Sequence, residues 1–396
     1  MTTLPPALAT LIQIETELRT GLFERDEAIR AALVAIIGRS HLVLLGPPGT
    51  AKSDLIKQIS ERFCDPTGQG LNYFVYLLTR FTTPEELFGP VSVHGLKNDT
   101  YERITTHKLP KAQIAFLDEI FKSSSAVLNI LLTILNERVF DNGTQRQPVP
   151  LITLFGASNE MPQEASDLEA LWDRFLLRLE VGYLAESNFE KLLQMQVQGQ
   201  QTPPAPLTIM SQTELVALQQ FAAAIPIPPS VTNALVTLRR DLSQQKGIIA
   251  SDRRWVQCLR VLQAHALLEG RDVVEEDDLA ILSYALWNQP EQKNDITRMV
   301  AKLANPLNAK ASELKDTALA VWSEAKAKMD ANSADEQATL RATIAVEAIS
   351  KLKKIESQLV VLKKQIVEQN RPTKRVDQAM SVVKTSKQAA MEGSGL

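Results

Sequence analysis

The sequence contains little that would support disulfide formation or passage through a membrane. Its two cysteines, Cys64 and Cys258, lie far apart without a C-x-x-C neighbour, which is typical of buried reduced thiols. No uncharged run approaches the roughly 20 residues that a transmembrane helix needs. Glu15, Glu17 and Arg19 interrupt the first apolar stretch, which is unlike a signal peptide. We therefore expect a cytoplasmic protein with no membrane span.

The net charge is also low, and aromatic residues are few. The net charge is −3 over 396 residues, so there is no electrostatic reason to expect nucleic acid or anionic lipid as the main partner. Aromatic residues make up 5%, whereas Ala, Leu, Gln and Glu are abundant, which favours helices. The four histidines show no metal-ligand spacing. The length predicts two or three domains.

The composition divides the chain into three predicted domains. Residues 1–195 alternate apolar runs with helical spacing, which is typical of an α/β fold with a parallel sheet covered on both faces. A Gln- and Pro-rich linker is predicted over 196–210, and an all-helical domain over 205–300. Residues 306–396 are rich in Ala, Lys, Glu, Ser and Gln and form a predicted helical arm or coiled coil.

The predicted core contains five short apolar runs that we interpret as strands. They lie at 41–45, 73–78, 114–117, 151–155 and 175–183. Two helices are predicted over 4–38, with a break near Gly21, and another over 123–137. The Asn142-Gly143 pair predicts a β-hairpin.

The C-terminal segment carries a heptad pattern. Its apolar positions, spaced alternately three and four apart, are Ala345, Ala348, Leu352, Ile355, Leu359, Leu362 and Ile366. The pattern predicts a helical hairpin or short coiled coil, and one helix packed on its own body fits equally well. Another helix is expected after Pro372, with a disordered end over 393–396.

A Gly- and Pro-rich loop joins the first predicted strand to a helix. It comprises Gly46, Pro47, Pro48, Gly49, Thr50, Ala51, Lys52 and Ser53, and Asp54 follows. Such a loop aims backbone N–H groups at phosphates, with a helix N-terminus behind it. Lys52 would bridge the β- and γ-phosphates of ATP and Ser53 would ligate Mg²⁺. Because Ala51 stands where the strict motif has Gly, an ordinary turn before a helix is the alternative.

Two carboxylates end the predicted strand at 114–117. Asp118 would hold the Mg²⁺ ion, and Glu119 would polarise the attacking water. Solvated acids at a strand end are the alternative. A phosphate loop and an acidic strand end in this order support each other, so they predict a nucleoside triphosphatase.

Two later residues refine this prediction. Asn159 follows the next strand and could orient the lytic water, although it could also form a turn. Arg174, within Leu171–Phe175, could reach a neighbouring subunit's γ-phosphate and stabilise transition-state charge. A surface ion pair is the other interpretation of Arg174, and Arg178 or Arg138 could serve in its place.

These four motifs together resemble the AAA+ superfamily. The loop with Ala51, the segment Phe81–Gly89 and the segment Leu131–Arg138 resemble its MoxR branch, and within it most closely the regulatory ATPase variant A (RavA) type. The resemblance covers roughly residues 5–300. It implies sheet order 5-1-4-3-2, an insert in the second helix at about 87–110 and a hairpin at about 139–150. It also implies a hexameric ring with nucleotide at the subunit interfaces.

The resemblance also implies a phosphate-contacting arginine in the helical lid domain. Ser251–Trp255 matches that motif, which makes Arg253 the first choice and Arg254 the second, while one of them would pack against Trp255. The chain departs from the RavA type after residue 306, where that family's arm carries a β-containing module. This chain is helical by pattern there, so a partner assigned through that module is not implied.

Three functions are compatible with these residues. In the first, ATP hydrolysis in a ring remodels, matures or activates a client protein complex, beside a partner with a von Willebrand factor A domain, as the resemblance implies. The second is a nucleic-acid motor that would use basic residues of the insert and hairpin: Lys97, Arg103, Lys108, Lys111 and Arg146. The third is a scaffold in which ATP only licenses assembly.

Overall fold

The computed structural model describes residues 4–162, 166–199, 207–304, 306–330, 338–368 and 373–393. The chain divides into two compact units, residues 1–297 and residues 298–396. The predicted boundary between core and lid falls inside the first unit. The division into three domains therefore stays a prediction.

A five-stranded parallel sheet lies at the centre of the first unit. The strands in chain order are β1 (Leu42–Leu45), β2 (Phe63–Cys64), β3 (Tyr73–Leu77), β4 (Ile114–Asp118), β5 (Val139–Asn142), β6 (Gln145–Pro148), β7 (Thr153–Ser158), β8 (Leu177–Glu180) and β9 (Met210–Ser211). The sheet runs β3-β4-β7-β1-β8 with every neighbouring pair parallel, which confirms the predicted order 5-1-4-3-2. The carboxyl ends of β1, β4 and β7 therefore meet at one edge.

The first unit also contains many helices, some of which contact the strands of this sheet. Those that begin in the first unit are α1 (Ala7–Gly21), α2 (Asp26–Ile37), α3 (Lys52–Ser60), α4 (Pro84–Phe88), α5 (Val93–Lys97), α6 (Ser125–Glu137), α7 (Ser166–Arg174), α8 (Glu186–Gly199), α9 (Gln212–Ala224), α10 (Pro229–Lys246), α11 (Asp252–Leu268) and α12 (Gln292–Ala304). Short 3-10 helices lie at Leu109–Lys111, Ile120–Lys122 and Glu276–Tyr284. Nine residues of α2 are buried. Asp26 and Glu27 lie in its first turn, where their negative charges stabilise the helix by interacting with its positive N-terminal end.

The predicted hairpin forms, and it is joined to the segment where the insert is predicted. β5 and β6 pair antiparallel across Asn142 and Gly143. The Asn142 side chain accepts a hydrogen bond from the backbone N–H of Arg103 (2.6 Å) and donates to its carbonyl oxygen (3.1 Å). Gly143 has φ of 64°, and a Cβ atom there would collide with the Tyr101 carbonyl, so the turn requires glycine. These contacts fix the hairpin against the insert.

The connection to the helical lid differs from the prediction. α8 continues to Gly199, so residues 196–199 are helix rather than linker, and residues 200–206 of the predicted linker lie outside the described residues. The chain then forms β9, which pairs with β2 in parallel. Two-residue strands carry no readable periodicity, and this pair was not predicted.

Among the described residues, no single helix is long and apolar enough to cross a bilayer. The pair α9 and α10, bent by 81°, meets the length and composition criteria only when taken together.

Among the described residues, the second unit begins within α12 and continues with α13 (Pro306–Asp330), α14 (Ala338–Glu368) and α15 (Lys374–Gly393). All seven heptad positions predicted on α14 are buried. Most of them pack with residues of both neighbouring helices, including Ala311 and Ala318 of α13 and Val376 and Val383 of α15. The seam is thus covered within this chain by two helices rather than one. The helix expected after Pro372 is confirmed, although Gly393 still belongs to it, and residues 394–396 of the predicted disordered end lie outside the described residues.

His41 should make stability fall in acid. It is buried before β1, accepts from the Leu154 N–H at Nδ1 (3.0 Å) and contacts the Leu135 carbonyl through Nε2 (3.2 Å). Burial first, and then the charge of Arg138, lowers its pKa to about 3. Between about pH 6.5 and 3 the unfolded chain therefore binds a proton that the folded chain excludes, so stability falls as pH falls, by about 1.4 kcal/mol per pH unit.

The measurement is urea unfolding at pH 7 and pH 5. Across that interval this group should remove about 2 kcal/mol from the wild type. In His41→Asn, whose amide oxygen can still accept from Leu154, that share of the loss should vanish. An unchanged pH dependence in the variant would show that His41 is not the group responsible.

Candidate functional site: a phosphate loop, an acidic strand end and a ring of arginines

The predicted phosphate loop occupies the carboxyl end of β1. The Gly46 N–H donates to the Ser158 carbonyl (3.1 Å), which holds the loop against β7. Gly46 has φ of 155°, and a Cβ atom there would collide with the Val181 carbonyl, so that only glycine fits. The Thr50 hydroxyl donates to the Pro47 carbonyl (3.0 Å) across the loop. α3 then begins at Lys52, which directs the positive end of the helix towards the loop.

Ala51 adopts the left-handed conformation that the strict motif assigns to glycine, with φ of 61° and ψ of 28°. A Cβ atom costs roughly 1–2 kcal/mol in this region. Ala51→Gly should therefore raise the free energy of unfolding by about 1 kcal/mol, because removing the strain outweighs the extra chain entropy. Urea unfolding measures the change. Ala223→Gly, at an exposed position in α9, is the matched control and should lower stability by about 0.5–1 kcal/mol. Equal losses in both variants would show that Ala51 is not strained.

Lys52 folds back over the loop. Its Nζ donates to the carbonyl oxygens of Gly46 (2.8 Å) and Pro47 (2.9 Å) and lies 3.3 Å from Asn159 Oδ1. Burial lowers its pKa, and the carboxylates of Asp118 and Glu119 oppose that shift. The ammonium group is thus held by neutral carbonyl oxygens, and the anionic oxygens of a polyphosphate would bind it more strongly.

Asn159 connects the loop to the acidic strand end. Its amide nitrogen donates to Glu119 Oε1 (2.6 Å), while its oxygen accepts from Lys52. The structure therefore brings three predicted residues, Lys52, Asn159 and Glu119, into one hydrogen-bonded chain at the carboxyl ends of β1, β7 and β4. The turn-forming interpretation of Asn159 does not account for these two side-chain contacts.

Glu119 is positioned by an unusual backbone. Its φ is 53°, rare for a residue with a Cβ atom, and its N–H donates to Asp118 Oδ1 (3.0 Å). Strain of this kind is concentrated at functional sites. Its second carboxylate oxygen lies 3.3 Å from Lys122 Nζ in an ion pair, but it accepts no hydrogen bond from the described residues. Asp118 is half-buried beside it, whereas Ser53 and Asp54 are exposed on the first turn of α3.

Two of the three candidate finger arginines are fixed inside the chain. Arg178 is fully buried and donates to the carbonyl oxygens of Phe175 (3.0 Å), Trp172 (3.0 Å) and Trp287. Arg138 donates to three backbone carbonyls, those of Leu151, Ile152 and Arg39. Neither guanidinium can reach another subunit without breaking these bonds, so both alternatives to Arg174 are disfavoured.

Arg174 is less constrained. Its Nη1 donates to the Ala170 carbonyl at a long 3.3 Å and lies 4.0 Å from Asp173 Oδ2. No described contact joins it to the phosphate loop of its own chain. This placement suits a residue that acts on a neighbouring subunit.

Both candidate lid arginines bind Asp173, at the end of α7. Arg254 holds Oδ1 with Nε (3.2 Å) and Nη2 (2.8 Å), and Arg253 donates to Oδ2. Burial raises the pKa of Asp173, but the charges of Arg254 and Arg253 more than offset this, so the pKa lies below its ordinary value. The described cation–π contacts do not include Trp255, so that expectation stays a prediction. Arg178 does lie over a tryptophan, 4.2 Å from the Trp172 ring centre.

Arg25 is a functional candidate that the sequence did not reveal. It precedes α2, its side chain is buried, and it donates to the carbonyl oxygens of Thr50 (3.2 Å) and Gly182 (2.9 Å). It thereby fixes the phosphate loop to the segment after β8. Since its partners are backbone groups far away in the chain, no motif could have signalled it. The same holds for Lys122, which is ordinary in sequence until Glu119 is placed beside it.

The fold and site together define the class of protein, and comparison with known proteins agrees. A family model described as the MoxR domain of MoxR-vWA-beta-propeller ternary systems matches residues 9–220, and a model of an AAA lid domain matches residues 230–300. The chain belongs to the MoxR family of AAA+ ATPases.

Individual relatives support this assignment. An uncharacterized protein of Methanocaldococcus jannaschii is 36% identical over 375 residues, covering 94% of this chain and 96% of its own. The chaperone MoxR1 of Mycobacterium tuberculosis is 25% identical over 287 residues, covering 68% of this chain and 72% of that one. The crystal structure of a proposed ATPase from Cytophaga hutchinsonii has a TM-score of 0.60 at 19% identity, over 75% of this chain and 94% of that chain. That structure supports the fold.

Proposed function

We propose that this chain binds ATP with Mg²⁺ and hydrolyses it. The observation that carries the proposal is the hydrogen-bonded chain from Lys52 through Asn159 to Glu119. This chain of contacts brings an ammonium group, an amide and a carboxylate side by side at one sheet edge, next to a loop that leads into the N-terminus of a helix. ATP would lie on Gly46–Ser53, with Asp54 and the lid arginine Arg253 beside it. Glu119 would accept a proton from the attacking water, and Asn159 would orient that water.

Oxygen ligands for Mg²⁺ are available beside this loop. Asp118 offers a half-buried carboxylate at the end of β4, and Ser53 offers an exposed hydroxyl on the first turn of α3. Hard oxygen donors and few protein ligands are what Mg²⁺ prefers when a nucleotide supplies the rest. Bound there, Mg²⁺ would neutralise charge on the β- and γ-phosphates, and Asp118 and Ser53 would hold it.

The proposed site is completed by a second copy of the chain. Arg174 is the finger directed at the neighbour's γ-phosphate, since Arg138 and Arg178 are fixed by carbonyl groups. A closed ring lets each subunit both receive and supply an arginine, and we propose a hexamer.

The work performed is proposed to be remodelling, maturation or activation of a client protein complex in the cytoplasm, with a von Willebrand factor A domain protein as partner. The description of the matching family, which pairs MoxR domains with vWA proteins, supports this proposal. The RavA type is the proposed subtype. Within the described residues, the last unit consists of helices, so partner binding through a β-containing module is not part of the proposal.

The nucleic-acid motor receives less support from the geometry. Three of its five candidate cations are already bound within the chain. Arg146 pairs with Glu137 and Asp141, Arg103 pairs with Glu85 (3.1 Å), and Lys108 donates to the Glu86 carbonyl (2.8 Å). The carboxylates paired with Arg146 and Arg103 offset two of the five positive charges that a phosphate backbone would need.

ATP turnover with and without added DNA separates the three functions. We expect Mg²⁺-dependent hydrolysis that Lys52→Ala abolishes and DNA does not stimulate. Stimulation by DNA that falls steeply with salt would favour the motor, and slow turnover with ATP-dependent assembly would favour the scaffold. Ring size by sedimentation and retention of a purified vWA-domain protein on ATP-loaded Glu119→Gln test the remaining parts.

A further inference from the structure

The carboxylate of Asp173 lies among three arginines and a serine. Arg254 binds Oδ1, and the Ser251 hydroxyl lies 3.2 Å from Oδ1 and 3.4 Å from Oδ2. Arg253 donates to Oδ2, and Arg174 lies 4.0 Å from that same oxygen. One atom of Asp173 therefore lies between the lid arginine proposed to contact the subunit's own nucleotide and the finger proposed to reach the neighbour's.

The two lid arginines are not equivalent. The Arg254 side chain is 4% exposed and also donates to Asn288 Oδ1 (2.8 Å), so it is a fixed anchor between lid and core. The Arg253 side chain is 33% exposed, and its further described contact is a long one, 3.3 Å to Asn136. Arg253 can leave Asp173 while Arg254 keeps the lid attached.

Arg253 and Arg174 both retain unused hydrogen-bonding capacity. The Nε–H group of each is buried without a hydrogen-bond partner among the described residues. Burial and the charge of Arg253 lower the pKa of Arg174, while Asp173 opposes the shift, so the two guanidiniums repel each other across the shared oxygen. If Arg253 departs, Oδ2 of this half-buried carboxylate keeps only the long contact to the Ser251 hydroxyl, which favours the approach of the adjacent Arg174 cation.

We propose that Asp173 is a positioning residue. It makes the position of a subunit's Arg174, the finger for the neighbouring subunit, depend on whether that first subunit holds ATP. The proposal rests on the function proposed above. In a subunit without ATP, Arg253 occupies Oδ2 and Arg174 is free to reach the neighbour. When ATP draws Arg253 to its phosphates, Arg174 closes the 4.0 Å gap to Oδ2 and is withdrawn. An ATP-loaded subunit therefore delays hydrolysis in the neighbour that depends on its finger.

Mixed rings test this directly. Glu119→Gln subunits, which should hold ATP without hydrolysing it, are mixed with an equal amount of wild type. If the Glu119→Gln subunits are merely inactive, about half of the wild-type turnover should remain. If their fingers are also withdrawn, about a quarter should remain, because half of the wild-type subunits then depend on the finger of an ATP-loaded neighbour. Placing Asp173→Asn in the Glu119→Gln subunits should restore about half, because a neutral amide cannot hold Arg174. Identical turnover with and without Asp173→Asn would overturn the proposal.

A second pair of variants avoids any folding defect caused by the loss of Asp173. Lys52→Ala subunits, checked to be free of nucleotide, should leave about half of the turnover in an equal mixture, because their fingers remain available. Adding Arg253→Ala to them leaves Asp173 and its Arg254 anchor in place but opens Oδ2 to Arg174. Turnover should then fall to about a quarter, and an unchanged half would contradict the relay. Failure of the function itself would show as an inactive wild type, a different result from either.

Discussion

Glu119→Gln is expected to lower ATP turnover by about 10²–10⁴-fold while ATP binding is kept. Glutamine has the same shape and can still accept the Asn159 hydrogen bond, which is 2.6 Å long in the wild type. It cannot accept a proton from water, and the Lys122 ion pair is lost with the charge. Binding should survive because the phosphate loop and Lys52 are unchanged. Single-turnover hydrolysis and retention of labelled ATP on a desalting column measure the two effects separately.

Glu160→Gln is the matched control for this prediction. Glu160 is exposed one residue beyond Asn159, and its described hydrogen bonds use only backbone atoms. Its turnover should match the wild type. If Glu119→Gln turned over within about two-fold of the wild type, Glu119 would not be the general base.

Arg174→Ala is expected to lower turnover by about 10³–10⁵-fold, the range found for arginine fingers. Within its own chain Arg174 contacts only the Ala170 carbonyl and Asp173 among the described residues, so the fold should tolerate its removal. ATP affinity should change little, since the subunit's own phosphate loop is untouched. Turnover and the dissociation constant of a fluorescent ATP analogue distinguish a lost finger from a lost binding site.

Arg240→Ala serves as the control for Arg174→Ala. Arg240 is exposed on α10 and pairs only with its neighbour Asp241 (3.5 Å) in the described structure, so its loss should leave turnover unchanged. A weakened ATP affinity in Arg174→Ala, equal to its loss of turnover, would place Arg174 in its own subunit's site instead.

Most of the fold could be predicted because its signals are local. Short apolar runs separated by helical spacing define parallel strands, and Asn142-Gly143 defines the hairpin, so both predictions hold. The pairing of β2 with β9 was missed because two residues show no period and their partners are distant in sequence. α8 extends past the predicted linker start because Gln-rich sequence is compatible with helix as well as with a connection.

The site likewise contains residues that could be predicted from the sequence and residues that could not. The glycines of the phosphate loop could be predicted because the backbone conformation there requires glycine. The two acids at the end of β4 could be predicted because metal binding and proton transfer require carboxylates. Arg25 and Lys122 gave no signal, since their importance lies in partners that only folding brings close. The choice between Arg174, Arg178 and Arg138 required the structure for the same reason. The sequence does not show which arginines are buried and hydrogen-bonded to backbone carbonyl groups.

Strained backbone occurs at two positions of the site. Ala51 ends the phosphate loop and Glu119 follows β4, and both have a positive φ that costs roughly 1–2 kcal/mol for a residue with a Cβ atom. The surrounding hydrogen bonds hold these conformations, including the bond from Asn159 to Glu119. The proposed general base is thus held in place by hydrogen bonds of the chain itself, which is how preorganised electrostatic catalysis operates.

The division of the site between two subunits is the central claim, and mixing two inactive variants tests it most directly. Arg174→Ala keeps its phosphate loop but supplies no finger, and Lys52→Ala supplies a finger but cannot use one. In an equal mixture that exchanges freely, about a quarter of the sites combine an intact loop with an intact neighbouring finger, so about a quarter of wild-type turnover should return. If every mixing ratio stayed as inactive as the separate variants, while sedimentation showed that mixed rings had formed, the site would not be shared.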